Sequence, residues 1–199
     1  MRLAKEIPRY QSPFSTSRQI ILLSHKYAAT DEQHPITERD CLNAGEMIVQ
    51  GTNERANLQI IFRWKLQAFE RFPWVRDWPA DFILDEELSH ALIPARRVNL
   101  SDYRTICHAL RTISSLPYVG VPVASAVLMA MYPADFTVID RQAYKALKVK
   151  FCDPMPFTEY LAYLDFCRGQ ARKFDIPLRQ YDQALWQLGS DTGRSRSSG

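Results

Sequence analysis

The sequence predicts an all-α fold, a two-lobed helical domain. Apolar residues recur at spacings of three, four and seven along most of the chain, and no stretch has the two-residue alternation of a strand. Capping residues, prolines and glycines fall between the helical stretches. With 199 residues and 46% hydrophobic content, the chain can bury a sizeable core, in one compact domain or in two small lobes sharing a cleft.

Between Thr16 and Ala29, Ile20, Leu23 and Tyr27 follow helical spacing, and Ile21 and Leu22 widen the arc. Thr37 caps a second helix through Cys41, Ala44, Met47 and Ile48, which Gly51 closes. Asn53 starts a third, where Leu58, Phe62, Leu66, Phe69 and Phe72 recur at helical spacing until Pro73 ends it. The aromatic, proline-rich run from Pro73 to Pro79 reads as a connection between lobes, so the break is expected near 73–79. Ser101 caps a helix carrying Ile106, Leu110 and Ile113. Arg96 and Arg97 read as solvated loop charges.

Next comes Leu116-Pro117-Tyr118-Val119-Gly120-Val121-Pro122. This is a tight turn whose backbone amides can face a phosphate oxygen, followed by a helix whose positive end helps hold that anion. Gly120 permits close approach. Pro122 sits in the first helical turn, where it loses no helical hydrogen bond, and Val123 to Met129 continue the helix with small residues on one side. Phe136-Thr137-Val138-Ile139 then leads to Asp140, which precedes a helix through Ala143, Tyr144 and Leu147. A carboxylate there is favoured by the helix N-terminus and kept ionised. Two more helices follow the proline-broken loop at Pro154 and Pro156. One runs through Tyr160, Leu161, Leu164 and Cys167, the other through Leu178, Tyr181, Leu185 and Leu188 until Gly189 stops it. One domain over 1–189 and a disordered tail over 190–199 are expected.

Leu116, Pro117, Val119, Gly120, Ala124, Leu128 and Asp140 together resemble the helix-hairpin-helix DNA glycosylase superfamily, in which an aspartate follows the second hairpin glycine by about twenty residues. Gly120 and Asp140 stand 20 positions apart. Gln183-Ala184-Leu185 with Leu188-Gly189 also resembles the last helix of several members. The resemblance implies a helix-hairpin-helix motif, duplex DNA as partner, and Asp140 as the catalytic carboxylate of a monofunctional glycosylase. That acid activates water or stabilises the cationic sugar as a damaged or modified base leaves. It implies DNA contact by Tyr118, Val119, Gly120 and Pro122. Two departures stand out: Tyr118 replaces the family's first glycine, and Pro122 stands where bifunctional members place a lysine, which excludes Schiff-base chemistry from that position. Two other readings use the same residues: a non-catalytic DNA-binding module, and a base-modifying enzyme on the same scaffold.

Lys65, beside Arg63 and Trp64, either faces the cleft to meet a phosphate or flipped base, or is a snorkelling lysine. Arg141 contacts backbone phosphate or makes a surface salt bridge. Taken alone, Asp140 is a helix cap; the turn in register makes it a catalytic candidate. The tryptophans Trp64, Trp74, Trp78 and Trp186 read as core anchors before base-stacking platforms.

Net charge of +3 tilts toward polyanions without identifying one. Cys41, Cys107, Cys152 and Cys167 are far apart, as expected of reduced thiols, and no cysteine follows Gly189 to hold an iron-sulfur cluster. The four histidines lack metal-ligand spacing, and no nucleophile elbow or glycine-rich nucleotide loop is present. No metal and no cofactor are therefore expected. Prolines and Gly120 divide the uncharged stretch from Ser114 to Ala134, so no membrane span is expected. Without a secretory pattern near the first residues, a cytoplasmic location is expected.

Overall fold

The computed structural model describes residues 10–69, 72–78 and 83–194. Among these the regular structure is entirely helical: α1 (Ser17–Asp31), α2 (Glu38–Val49), α3 (Glu54–Leu66), α4 (Pro73–Arg76), α5 (Asp85–Arg96), α6 (Tyr103–Ile113), α7 (Val121–Met131), α8 (Arg141–Ala146), α9 (Phe157–Phe174) and α10 (Leu178–Arg194). No helix among the described residues is long and apolar enough to cross a membrane.

The first helices begin and end where local chemistry requires. Thr16 and Thr37 each accept a hydrogen bond from the backbone NH three residues on, and the side chains of Gln19 and Asp40 reach back to the cap, so two otherwise unpaired amides are satisfied at each start. Gly51 terminates α2 with φ of 73°, a left-handed conformation that costs glycine nothing.

The helices pack chiefly in two groups. One holds α2 to α7; the other joins α1 to α8, α9 and α10. The division therefore falls between α1 and α2 and again between α7 and α8, not at 73–79: α3 and α5, on either side of that segment, pack against each other. A single cluster of buried side chains runs through both groups. Its centre is α7, in which every residue except Pro122 is buried. That helix is apolar on all sides because it has neighbours on all sides. Gly45 of α2 lies against the backbone of Ala130, and no side chain larger than hydrogen fits between them.

Several expected boundaries move. The third helix stops at Leu66 and gives way to a 3-10 turn over Gln67–Phe69, while Pro73 opens α4 instead of closing α3. Proline fits a first helical turn because its missing NH would have had no partner. Asp102, not Ser101, caps α6, accepting the amide of Arg104 at 2.9 Å. Helix α5 was not foreseen, and Arg96 at its end is no loop charge: it donates to the Ile48 carbonyl at 2.8 Å and pairs with Glu54. Gly189 does not stop α10, which continues to Arg194; residues 190–194 are thus helical and the rest of the expected tail lies outside the described residues. Leu22, expected in the buried arc of α1, is 60% exposed.

Candidate functional site

The turn between α6 and α7 closes with the Val119 amide donating to the Leu116 carbonyl at 3.1 Å. Pro117 and Tyr118 occupy its two central positions, and Tyr118 has φ of 64°. That is the pattern of a type II turn, whose second central residue is normally glycine. Tyr118 thus holds a backbone conformation that glycine adopts most readily, while the residue is 63% exposed. Val119 is buried and its amide is engaged, so it packs the turn onto the core and offers nothing outward. Among the described residues, the amides of Tyr118, Gly120 and Val121 donate to no protein acceptor.

Gly120 is exposed, has an ordinary φ of −87°, and a methyl group added there would meet only the Pro122 ring at 3.6 Å. Neither backbone conformation nor internal packing requires glycine at this position. What its lack of a side chain leaves open is approach from outside.

Asp140 caps α8, accepting the Gln142 amide at 2.8 Å, and its other oxygen accepts the ammonium of Lys65 from α3. The acid's side chain is 20% exposed and the lysine's 8%. Burial pushes the carboxyl upward, but the Lys65 charge, its hydrogen bond and the Gln142 amide outweigh that and hold it below the usual carboxylate range. Lys65 is therefore not a snorkelling lysine. It forms a nearly enclosed ion pair across the seam between the two helix groups.

The segment leading to Asp140 is held residue by residue. Tyr160 donates to the Thr137 carbonyl at 3.1 Å, Asp182 accepts the Val138 amide at 2.9 Å, and the Ser125 hydroxyl accepts the Ile139 amide at 3.1 Å. Ser125 lies one turn into α7, so this last bond ties the acid to the helix that follows the turn. Asp182 also pairs with Arg179, which reaches Glu38 of α2 at 2.7 Å and lies over the Trp64 ring at 5.8 Å. Burial raises the Asp182 carboxyl despite Arg179, whereas in Glu38 the same guanidinium overcomes burial and lowers it. Gln183 donates to Glu38 at 2.9 Å. Gly189 of α10 lies against the Gln142 carbonyl, pressing that helix onto the start of α8.

Arg141 turns away from the pair. It makes a surface salt bridge with Asp153 at 2.7 Å and lies over the Phe151 ring at 4.9 Å. Pro122 sits in the first turn of α7, as expected. Two surface concavities lie elsewhere, one around Arg168, Arg172 and Asp175, the other around Asn53, Arg55 and Ser89; neither includes Asp140 or the turn. Among the described residues no three His, Cys, Asp or Glu side chains are grouped to hold a metal ion.

Ser125, Tyr160 and Asp182, which support the acid, were not among the residues expected at the site. Only the neighbourhood of Gln183 carried a signal for any of them. Comparison with family models finds no match, and neither curated proteins nor solved structures match the chain.

Proposed function

We propose that the chain is a helix-hairpin-helix DNA-binding protein acting as a monofunctional DNA glycosylase, with Asp140 as its catalytic carboxylate. The observation that carries this reading is Asp140 itself: kept ionised, largely enclosed, and tied through Ser125 to the helix that begins at the Gly120 turn. The unengaged amides of Tyr118, Gly120 and Val121 suit a phosphate oxygen, and the N-terminus of α7 adds to their pull. A strand held there brings a flipped nucleotide toward the seam between the helix groups.

In the reaction, the bond between the base and the sugar C1′ breaks and its electron pair leaves with the base. Asp140 offsets the cationic character that develops on the sugar, then takes a proton from the water that adds to C1′. Lys65 must shift from the acid for this, because an ammonium ion at the sugar would cancel much of the carboxylate's effect. Moved toward the departing base, the same ammonium donates to it.

A second reading, a non-catalytic DNA-binding module, is favoured by the cover that Lys65 places over Asp140. Base release from a panel of lesion-bearing duplexes separates the two. The glycosylase reading expects release of at least one modified base, lost in Asp140→Asn while helicity and duplex affinity are kept. Duplex binding with no release across the panel favours the binding module.

A further inference from the structure

We propose that Phe72, Trp74 and Tyr118 form a stacking platform for one unstacked nucleobase, whose phosphate rests on the adjoining turn; this inference rests on the nucleic-acid reading above. The three rings come from two separate segments. Trp74 lies 5.7 Å from Tyr118 with a 30° tilt and 6.4 Å from Phe72 with a 21° tilt. They are 38%, 41% and 63% exposed in chain order, an unusual display for large aromatic side chains.

The platform is fixed in place. Trp78, stacked on Phe62 at 4.2 Å, donates its indole NH to the Pro117 carbonyl at 2.8 Å, locking the 72–78 segment to the turn that carries Tyr118. Phe62 also meets Trp74 edge-on at 6.4 Å, so the tryptophan stands on the core. Tyr118 holds its ring outward from a left-handed backbone conformation that a bulky residue adopts only at a cost. Folding alone would be served better by glycine.

The occupant follows from what adjoins the rings. Flat aromatic faces take any apolar partner, but here they border unengaged backbone amides that complement an anion. A nucleotide joins those two properties in one unit: a planar ring and a phosphate. Stacking on aromatic side chains is tolerant of base identity, so the platform selects for distortion of the strand rather than for sequence.

Binding of the whole chain to three fluorescent DNAs of equal length tests this: an intact duplex, a duplex with a one-base bulge, and a single strand. The variants are Trp74→Leu and Tyr118→Gly, the second chosen because glycine suits that backbone and preserves the fold. Wild type is expected to prefer the bulged and single-stranded probes. Each variant is expected to lose about 5- to 100-fold on those two probes, as removal of a base-stacking ring does, and Trp74→Leu less than twofold on the intact duplex. Equal wild-type binding to all three probes, with both variants unchanged, overturns the platform and leaves the nucleic-acid reading standing. No binding to any probe overturns both. Loss of self-association in Trp74→Leu, seen by sedimentation with DNA affinities unchanged, overturns the platform in favour of contact between two copies of the chain.

Discussion

Asp140 and Lys65 are separated by 75 positions and meet in an ion pair enclosed by two groups of helices. Removing one partner of such a pair leaves a charge with poor access to water. Lys65→Met is expected to lose about 3–5 kcal/mol of stability at neutral pH, and the double variant Lys65→Met/Asp140→Asn to recover much of it. Urea unfolding measures both. The pH dependence has a definite sign. In wild type the folded carboxyl lies below its ordinary value, so its stabilisation is fully present above about pH 4 and is lost only as pH falls through that depressed value. In Lys65→Met, burial acts without the lysine and raises the carboxyl, so the deficit against wild type should shrink as pH is lowered from 7 to 5. A deficit independent of pH would mean that the pair is not what the lysine contributes. Asp140 was legible as the cap of α8, because a capping acid and the apolar spacing that follows it are local features of the chain. Its pairing with Lys65 was not, since nothing within either helix records which residues a distant helix will bring alongside. The same holds for Ser125, Tyr160 and Asp182, whose polar groups reach backbone amides or carbonyls that sequence periodicity does not locate.

Helices were readable where one face is apolar and a cap marks the start, as in α1 and α2. Reading failed where a residue with a strong local preference serves a tertiary contact. Gly189 resembles a helix stop, yet α10 runs through it because α8 comes too close for any side chain there. Helix α5 has Pro94 in its last turn, and Leu88, Ala91, Leu92 and Ala95 form its buried stripe. Two glycines therefore predict opposite outcomes. Gly189→Ala should destabilise the fold by about 1–3 kcal/mol or more, because the added methyl runs into the Gln142 backbone. Gly120→Ala should change stability by less than about 1 kcal/mol, the small loss from a poorer cap being offset by a stiffer unfolded chain. Its cost should fall on duplex affinity, where the methyl occupies the path of approach. Thermal melts and titration with duplex DNA read the two effects separately; equal affinity of Gly120→Ala and wild type would remove the turn from the interface.

The expectation of an all-α molecule rested on periodicity and is met throughout the described residues. Its internal division could not be read from composition. The Pro73–Pro79 run reads as a connection between lobes because prolines and aromatics cluster there, but Trp78 builds its described part into one helix group through Phe62 and the Pro117 carbonyl. The actual seam depends on α10 returning to lie along α1, a pairing of the first and last described helices. Asp140 stands on that seam and is tied through Ser125 to the helix that follows the Gly120 turn; the proposed function requires that a duplex gripped at the turn direct its distorted nucleotide to the acid. A crystal structure of the whole chain with a duplex containing one abasic site tests this most directly. A phosphate oxygen is expected within hydrogen-bond distance of the Gly120 or Val121 amide, and the abasic sugar turned toward Asp140 with Lys65 displaced from it. A duplex lying across another face, with Lys65 still closed over Asp140, would contradict it.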